Sequence, residues 1–388
     1  MLVHPDRKEI ARYLLSRGED LFLSDSDAAE EADLRFAAAR VPIAFPDGLA
    51  PAPAPVDPAP APTKALPRAD VVVITWTVDE VAALAQVLTP GVPATRWYPY
   101  AKGFSKYKPH IRSHAPAAVA GRLGSYYPVT LAGKRVLAMK SELHLNQDGV
   151  KTGDGTATLP VKDFFKQIIK EAKPTHVFTV GTAGGVYEDF MLGDAVVTRG
   201  AKFRLQQEFA NEPFNHKVYT SDWAIPTTHF DDAQKLMDAF SKELAQPPVG
   251  PPTKQFEFPG PLLAPPDKPA SIRLDGRDMP KFHPILTTDY FEYGTSANRL
   301  DKEGAAVEMG DAALGLACTE IDKPPNWAVV RNCSDPVING DLPAKEFHLN
   351  EQTTWAVAYY TAYGRYTSIM SSLATWAIIA GLGGKGGN

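Results

Sequence analysis

Three short segments place polar side chains at the ends of apolar runs. In Trp327-Ala328-Val329-Val330-Arg331-Asn332-Cys333-Ser334-Asp335-Pro336, an apolar strand runs straight into Arg331, Ser334 and Asp335. An aspartic acid in a dry pocket has a raised pKa and can act as a general acid. The plainer reading of Asp335 before Pro336 is a turn former. In Ala306-Val307-Glu308-Met309-Gly310-Asp311-Ala312-Ala313-Leu314-Gly315, two carboxylates stand where a buried strand becomes a small-residue helix. Something must solvate them, and strands of α/β sheets deliver ligand groups at their carboxyl ends. The plainer reading is a helix start, with Asp311 near the positive end of the dipole. The third segment, Val180-Gly181-Thr182-Ala183-Gly184-Gly185-Val186, directly follows a strand. It is not GxGxxG and no GK[ST] follows, which excludes the dinucleotide fingerprint and the P-loop. A small-residue turn still lets backbone N–H groups approach a ligand, and Thr182 adds a hydroxyl.

The elements that must position these groups read as an α/β alternation. Val71-Val72-Val73-Ile74-Thr75 is a β-branched run expected of a strand buried on both faces. Residues 79–88 follow as a helix with Val81, Leu84, Ala85 and Leu88 on one face. Strands are predicted at 135–139, 176–180, 194–198, 305–308 and 327–331, with helices at 161–172, 311–319 and 352–380. The expected architecture is a three-layer α/β domain over 69–388, with a central mixed, partly barrel-like sheet flanked by helices. Residues 1–45 form a short helical appendage, with helical patterns at 5–16 and 26–40, and are a candidate docking arm for a protein partner. Residues 46–68, rich in Pro and Ala, read as an extended linker. Two stretches, 96–130 and 246–269, read as long excursions from the sheet, suited to lids or interface arms.

Composition narrows the class. Over 388 residues the net charge is -5, which gives no reason to expect a nucleic acid. Cys318 and Cys333 lack any metal-ligand or disulfide-framework spacing, so reduced thiols and no metal are expected. The charged N-terminus has no apolar core, which excludes a secretory signal and points to the cytoplasm. Residues 369–382, apolar but interrupted by Ser371, Ser372 and Thr375, are short for a bilayer span and read as a closing core helix. No membrane association is expected.

Taken in order, the segments resemble the nucleoside phosphorylase and nucleosidase superfamily, especially the 5′-methylthioadenosine/S-adenosylhomocysteine nucleosidases. The resemblance rests on Val72-Val73-Ile74-Thr75-Trp76-Thr77-Val78-Asp79-Glu80-Val81, on Gly181 to Gly185, and on Leu192-Gly193-Asp194-Ala195-Val196-Val197. It extends to Thr288-Asp289-Tyr290-Phe291, Val307-Glu308-Met309-Gly310 and Arg331 to Asp335, covering most of residues 70–380. It implies hydrolysis of the N-glycosidic bond of an adenine-type purine nucleoside or nucleotide, without a cofactor, by a homo-oligomer with a dimer favoured. Asp335 would be the general acid, oriented by Ser334. Glu80 would be the base on the attacking water, placed with help from Arg331 and Thr182. Phe291 would stack on the purine, Gly181, Ala183 and Gly184 would let backbone approach, and Glu308 and Met309 would line the ribose. Phosphorylases of the superfamily carry an arginine two residues before the G[ST] pair, where this chain has Thr179, so hydrolysis is favoured over phosphorolysis. A phosphorylase and a nucleoside-binding module without chemistry are the alternatives.

The pattern breaks at Gly310, which stands where the family has a second ribose-binding glutamate. Asp311 is the candidate replacement, although one helical residue turns a side chain by about 100°. The cluster Lys102, Lys106, Lys108, His110 and Arg112 fits a solvated basic surface, or more sharply a 5′-phosphate subsite. Lys140, Glu142 and His144 follow another strand toward the same cleft, and His144 reads best as a core or surface histidine.

Overall fold

The computed structural model describes residues 42–187, 189–243, 270–274, 283–292, 294, 298–335, 337 and 351–383. The patterns at 5–16 and 26–40 and the proline-saturated stretch 246–269 lie outside these residues. The strands are β1 (Ala52–Pro53), β2 (Val71–Thr75), β3 (Tyr98–Tyr100), β4 (Gly124–Leu131), β5 (Lys134–Ser141), β6 (Lys151–Gly153), β7 (Thr156–Ala157) and β8 (His176–Gly185). After them come β9 (Ala195–Thr198), β10 (Gly200–Phe203), β11 (Val218–Thr220), β12 (Ile272–Leu274), β13 (Ile285–Thr287), β14 (Ala306–Glu308) and β15 (Asn326–Asp335). The helices are α1 (Val78–Leu88), α2 (Phe104–Tyr107), α3 (Pro116–Ala120), α4 (Leu145–Asp148), α5 (Pro160–Ala172), α6 (Phe230–Glu243), α7 (Ala312–Thr319) and α8 (Glu351–Gly381).

All strands but β6 and β7 join one mixed sheet, whose main path runs β1-β4-β5-β2-β8-β14-β13-β10-β11, with β15 branching from β8 and carrying β9 on its other edge. The sheet is flanked by helices, as expected, and its path stays open between β1 and β11. The alternation of its strands divides the core in two. Val72 and Ile74 of β2 join Leu137, Val177 and Val329 on the face covered by Phe164, Phe165 and Ile168 of α5 and by Ala313 and Leu314 of α7. Val71 and Val73 join Ala138, Phe178 and Val330 on the other face, covered by Leu84 and Leu88 of α1 and Leu373, Ala377 and Ile378 of α8. Burying each of these Val, Leu, Ile and Phe side chains contributes about 1.5–3 kcal/mol. The hydroxyls of Ser371, Ser372 and Thr375 survive in buried α8 because each donates to a carbonyl three or four residues back.

Three expectations are corrected. The glycine-rich segment is no turn after a strand: β8 continues through Gly185, paired with β15 as far as Gly184. Likewise Asn332 to Asp335, expected beyond a strand ending at Arg331, lie within β15. The stretch 96–130 is not wholly an excursion, because β4 pairs residue for residue with β5 from Gly124 to Leu131. Its Tyr126, Tyr127 and Val129 are good strand formers, and Pro128, with no N–H to give, offers its carbonyl to the Ala54 N–H (2.9 Å).

The Pro/Ala-rich segment is extended and held to the domain at intervals. Phe45 packs on Trp376 (5.2 Å between rings), whose indole N–H donates to the Leu49 carbonyl (2.8 Å). Ala52–Pro53 pair with β4, and the Leu66 N–H donates to Glu171 (2.8 Å). No helix among the described residues is long and apolar enough to cross a membrane.

Candidate active site

A cleft opens where β8 changes partners. β15 occupies one edge of β8 along its length, so β2 and β14 share the other. β2 pairs with residues 176–179 and β14 with 184–185, which leaves 180–183 without a strand partner on that edge. The gap is lined by Trp76, Thr77, Glu80, His144, Thr182, Ala183, Gly184, Thr288, Phe291, Glu292, Val307, Glu308, Met309, Gly310, Arg331, Ser334, Asp335 and Tyr360. A larger apolar cavity, about 370 Å³, lies beside α1 against Ile43, Phe45, Val81, Ala85 and Val92, and brings together no pair of carboxylates.

Glu80 is fixed by the start of α1. Thr77 caps the helix and Glu80 completes a capping box: the Thr77 hydroxyl accepts from the Glu80 N–H, and the Glu80 carboxylate accepts from the Thr77 N–H (2.8 Å). The Trp76 N–H (3.1 Å) and Thr75 hydroxyl (3.2 Å) also donate to that oxygen. The other oxygen takes the N–H and the hydroxyl of Thr182 (2.7 and 2.9 Å), filling the gap in the sheet. Burial works to raise this pKa, but Arg331 and the donated hydrogen bonds outweigh it and hold the carboxyl below its usual value.

Asp335 sits in the opposite environment. Two residues of β15, Cys333 and Asp335, oppose Ala183 and Gly184 with a register shift between them. That bulge lets the adjacent Ser334 and Asp335 both line the cleft, where strict alternation would send one away. Burial pushes the Asp335 carboxyl up to about 7, and the Ser334 hydroxyl donating to it (2.9 Å) offsets only part of this.

Arg331 joins the two walls. Its Nε and Nη2 form a bidentate pair with Asp311 (2.8 and 2.6 Å), Nη2 also reaches Glu308 (3.3 Å), and Nη1 lies 3.6 Å from Glu80. The guanidinium lies over the Trp76 ring at 4.9 Å. Asp311 is fully buried beneath this cation and does not line the cleft, so it does not stand in for the family's ribose glutamate. The step of one residue from Gly310, about 100° of rotation, aims its side chain at Arg331. Glu308 accepts from the Thr287 hydroxyl and the Asp311 N–H (2.9 Å), and burial with the nearby Asp311 charge raises its carboxyl to about 8.

Gly181 and Gly184 are required by this packing. A Cβ at Gly181 would overlap both the Arg331 guanidinium and the Glu80 carboxylate, and one at Gly184 would meet Asp335 Oδ2 at 3.0 Å. Gly181→Ala is therefore expected to destabilise the protein by about 1–3 kcal/mol and to spread the Glu80–Arg331 pair. A thermal melt checks this; an unchanged midpoint would contradict the close approach.

The structure thus gathers Glu80, Thr182, Ala183, Gly184, Phe291, Glu308, Met309, Arg331, Ser334 and Asp335 into one cleft, with Gly181 and Asp311 behind it. Asp289, in the Phe291 segment, accepts from the N–H groups of Gln206, Gln207 and Phe209 (2.9–3.0 Å) and anchors that loop. Sequence reasoning missed Trp76 and Tyr360, and it preferred a core or surface histidine to a place in the cleft for His144. The basic cluster is not there: Lys102 pairs with Glu171 (3.0 Å), Arg112 pairs with Glu208, and none of its residues lines the gap. Among the described residues no group of His, Cys, Asp and Glu is arranged to hold a metal ion.

No protein-family model and no curated protein matches the chain. Solved structures similar to it include a 5′-methylthioadenosine/S-adenosylhomocysteine nucleosidase from Neisseria meningitidis in complex with methylthio-immucillin-A, at 16% identity and TM-score 0.44 over 80% of this chain and 98% of that one. Another is the futalosine hydrolase of Helicobacter pylori, at 13% identity and TM-score 0.42 over 80% of this chain and 96% of that one. A third is the 5′-methylthioadenosine/S-adenosylhomocysteine nucleosidase of S. pneumoniae with a transition-state inhibitor, at 16% identity and TM-score 0.40 over 80% and 99%. Their names fall in the class that the motifs resemble; at these identities and scores no activity passes from them to this chain.

Proposed function

We propose that this chain is a purine nucleosidase that hydrolyses the N-glycosidic bond of an adenine-type nucleoside. One observation carries the reading: two carboxyls of a single cleft have their proton affinities pushed apart, Asp335 up to about 7 and Glu80 down. Such a divided pair assigns an acid and an anion to the two sides of one bond. Asp335 delivers its proton to the purine ring as the bond stretches, so that the base leaves neutral. Positive charge then grows on the sugar ring over ionised Glu80. A carboxylate that already accepts several hydrogen bonds is a weak base. It suffices here, because water becomes acidic only once it bonds to the cationic anomeric carbon. Glu80 takes that proton, and the products are a free purine and a pentose with a hydroxyl at C1′.

Two features favour water over phosphate as the nucleophile. Arg331, the cation of the cleft, is already bound by Asp311 and faces Glu80 and Glu308, so a phosphate dianion meets no surplus positive charge. Thr179, where phosphorylases of the resembled superfamily carry arginine, is fully buried. The adenine-type base follows the motif resemblance, with Phe291 as its stacking partner. Purified protein incubated with adenosine, inosine and guanosine is expected to release free base without phosphate and to gain nothing from its addition. Release that needs phosphate would make it a phosphorylase, and no release from any purine nucleoside would overturn the proposal.

A further inference from the structure

His144 is a polar side chain of the cleft wall to which the proposed chemistry gives no role. It lies just beyond the carboxyl end of β5, beside β2, and is only 4% exposed. Its backbone N–H donates to Asp148, its ring is hydrogen-bonded to no other group among the described residues, and the residue lines the cleft. A neutral imidazole on the wall of a cleft offers a ligand one donor and one acceptor.

Its place decides which part of a ligand it meets. The preceding residue, Leu143, accepts from the Trp76 indole N–H (2.9 Å), and Trp76 lies against Arg331. His144 therefore belongs to the β2–β5 wall, whereas Glu308 and Met309 belong to the β14 wall across the gap and Asp335 to the end of β15. This inference rests on the nucleosidase reading. With the base at Asp335 and Phe291 and the anomeric carbon over Glu80, the diol edge of the sugar faces β14 and the opposite edge, bearing C5′, faces His144. We propose that His144 is a specificity-determining residue that hydrogen-bonds the 5′-hydroxyl, and that the substrate is an unphosphorylated nucleoside with a free 5′-OH.

The electrostatics agree. Burial, reinforced by Lys140, lowers the His144 pKa to about 4 against the weaker opposing pull of Glu142 and Glu80. The ring is neutral at physiological pH, with one donor and one acceptor, which suits a hydroxyl and offers no charge to a phosphate. The nearby Lys140 is itself buried and paired with Glu142, which also takes Arg122 (2.9 Å).

The test is a matched set: adenosine, 5′-deoxyadenosine, 3′-deoxyadenosine and AMP, with base release and equilibrium binding measured on the wild type, His144→Leu and His144→Gln. The wild type is expected to prefer adenosine to 5′-deoxyadenosine by about tenfold or more in kcat/KM. His144→Leu is expected to bring adenosine down toward the 5′-deoxyadenosine value, and His144→Gln, which keeps a hydrogen-bonding amide, to restore part of the gap. The wild-type comparison stands even if a variant fails to fold. Equal handling of adenosine and 5′-deoxyadenosine, discrimination against the 3′-deoxy compound alone, or preference for AMP would overturn the 5′-hydroxyl assignment while leaving the nucleosidase reading intact. Neither binding nor release of any of the four would sink both.

Discussion

Asp335→Asn is expected to lower kcat by about 10²–10⁴-fold while the nucleoside still binds. The amide is close in size to the acid and can still accept from Ser334, but it has no proton to give. The pH profile separates this from a packing effect. Asp335 acts in its protonated form, so wild-type kcat/KM is expected to be full below its pKa of about 7 and to fall by about tenfold per pH unit above it. The Asn variant is expected to lose that step. The wild type's stability moves with pH in the same direction. A carboxyl whose folded pKa exceeds its unfolded value stabilises the fold below the unfolded pKa and loses that contribution as pH rises through about 7. Above neutrality, therefore, Asp335→Asn is expected to melt higher than the wild type. A variant with undiminished turnover would remove Asp335 from the chemistry.

Arg331→Met is expected to be the most damaging substitution to the fold. It leaves Asp311 fully buried with both oxygens stripped of the guanidinium, and it takes the nearest cation from Glu80 and Glu308. Removing one partner of such a buried set costs about 3–5 kcal/mol, which denaturant unfolding would read directly. The loss should be smaller at acid pH. Without Arg331 the stranded carboxyls have folded pKa values above their unfolded ones, so stability is retained where they are protonated and lost as pH rises. Arg331→Met combined with Asp311→Leu should recover much of the loss, since it replaces an orphaned charge by apolar volume. If the double variant is no better than the single one, the bidentate pair is not what Arg331 is for.

Much of this was legible in the residues because burial leaves a plain mark on them. The β-branched run 71–75 reads as a two-faced strand, and Thr182, Glu308, Arg331 and Asp335 are each legible as polar groups at the carboxyl ends of such runs, whereas Glu80 is legible only through the motif resemblance. What composition hides is partnership. Glycines 181 to 185 look like a turn, yet they are strand, because β15 pairs beside them and the absence of side chains lets Glu80 and Arg331 close over them. Tyr126, Tyr127 and Pro128 look like loop, yet they form a strand once β5 lies alongside. Asp311 looked like a ribose ligand because sequence spacing does not reveal which cation waits on the other side of a helical turn. His144 did carry a signal, since it follows the strand that neighbours 71–75. An imidazole in a core and one in a cleft nevertheless read alike until the wall around them is known.

The break in the edge of β8 also provides a reporter. The Thr182 amide proton lies in the middle of a central strand, yet it bonds to a carboxylate that can change its protonation, not to another strand. Amides in unbroken ladders keep nearly constant chemical shifts across a titration. The Thr182 resonance should instead follow the state of Glu80 and the arrival of any ligand that competes for it. A single backbone signal, needing no label in the cleft, thus reads the charge of the site from inside the sheet.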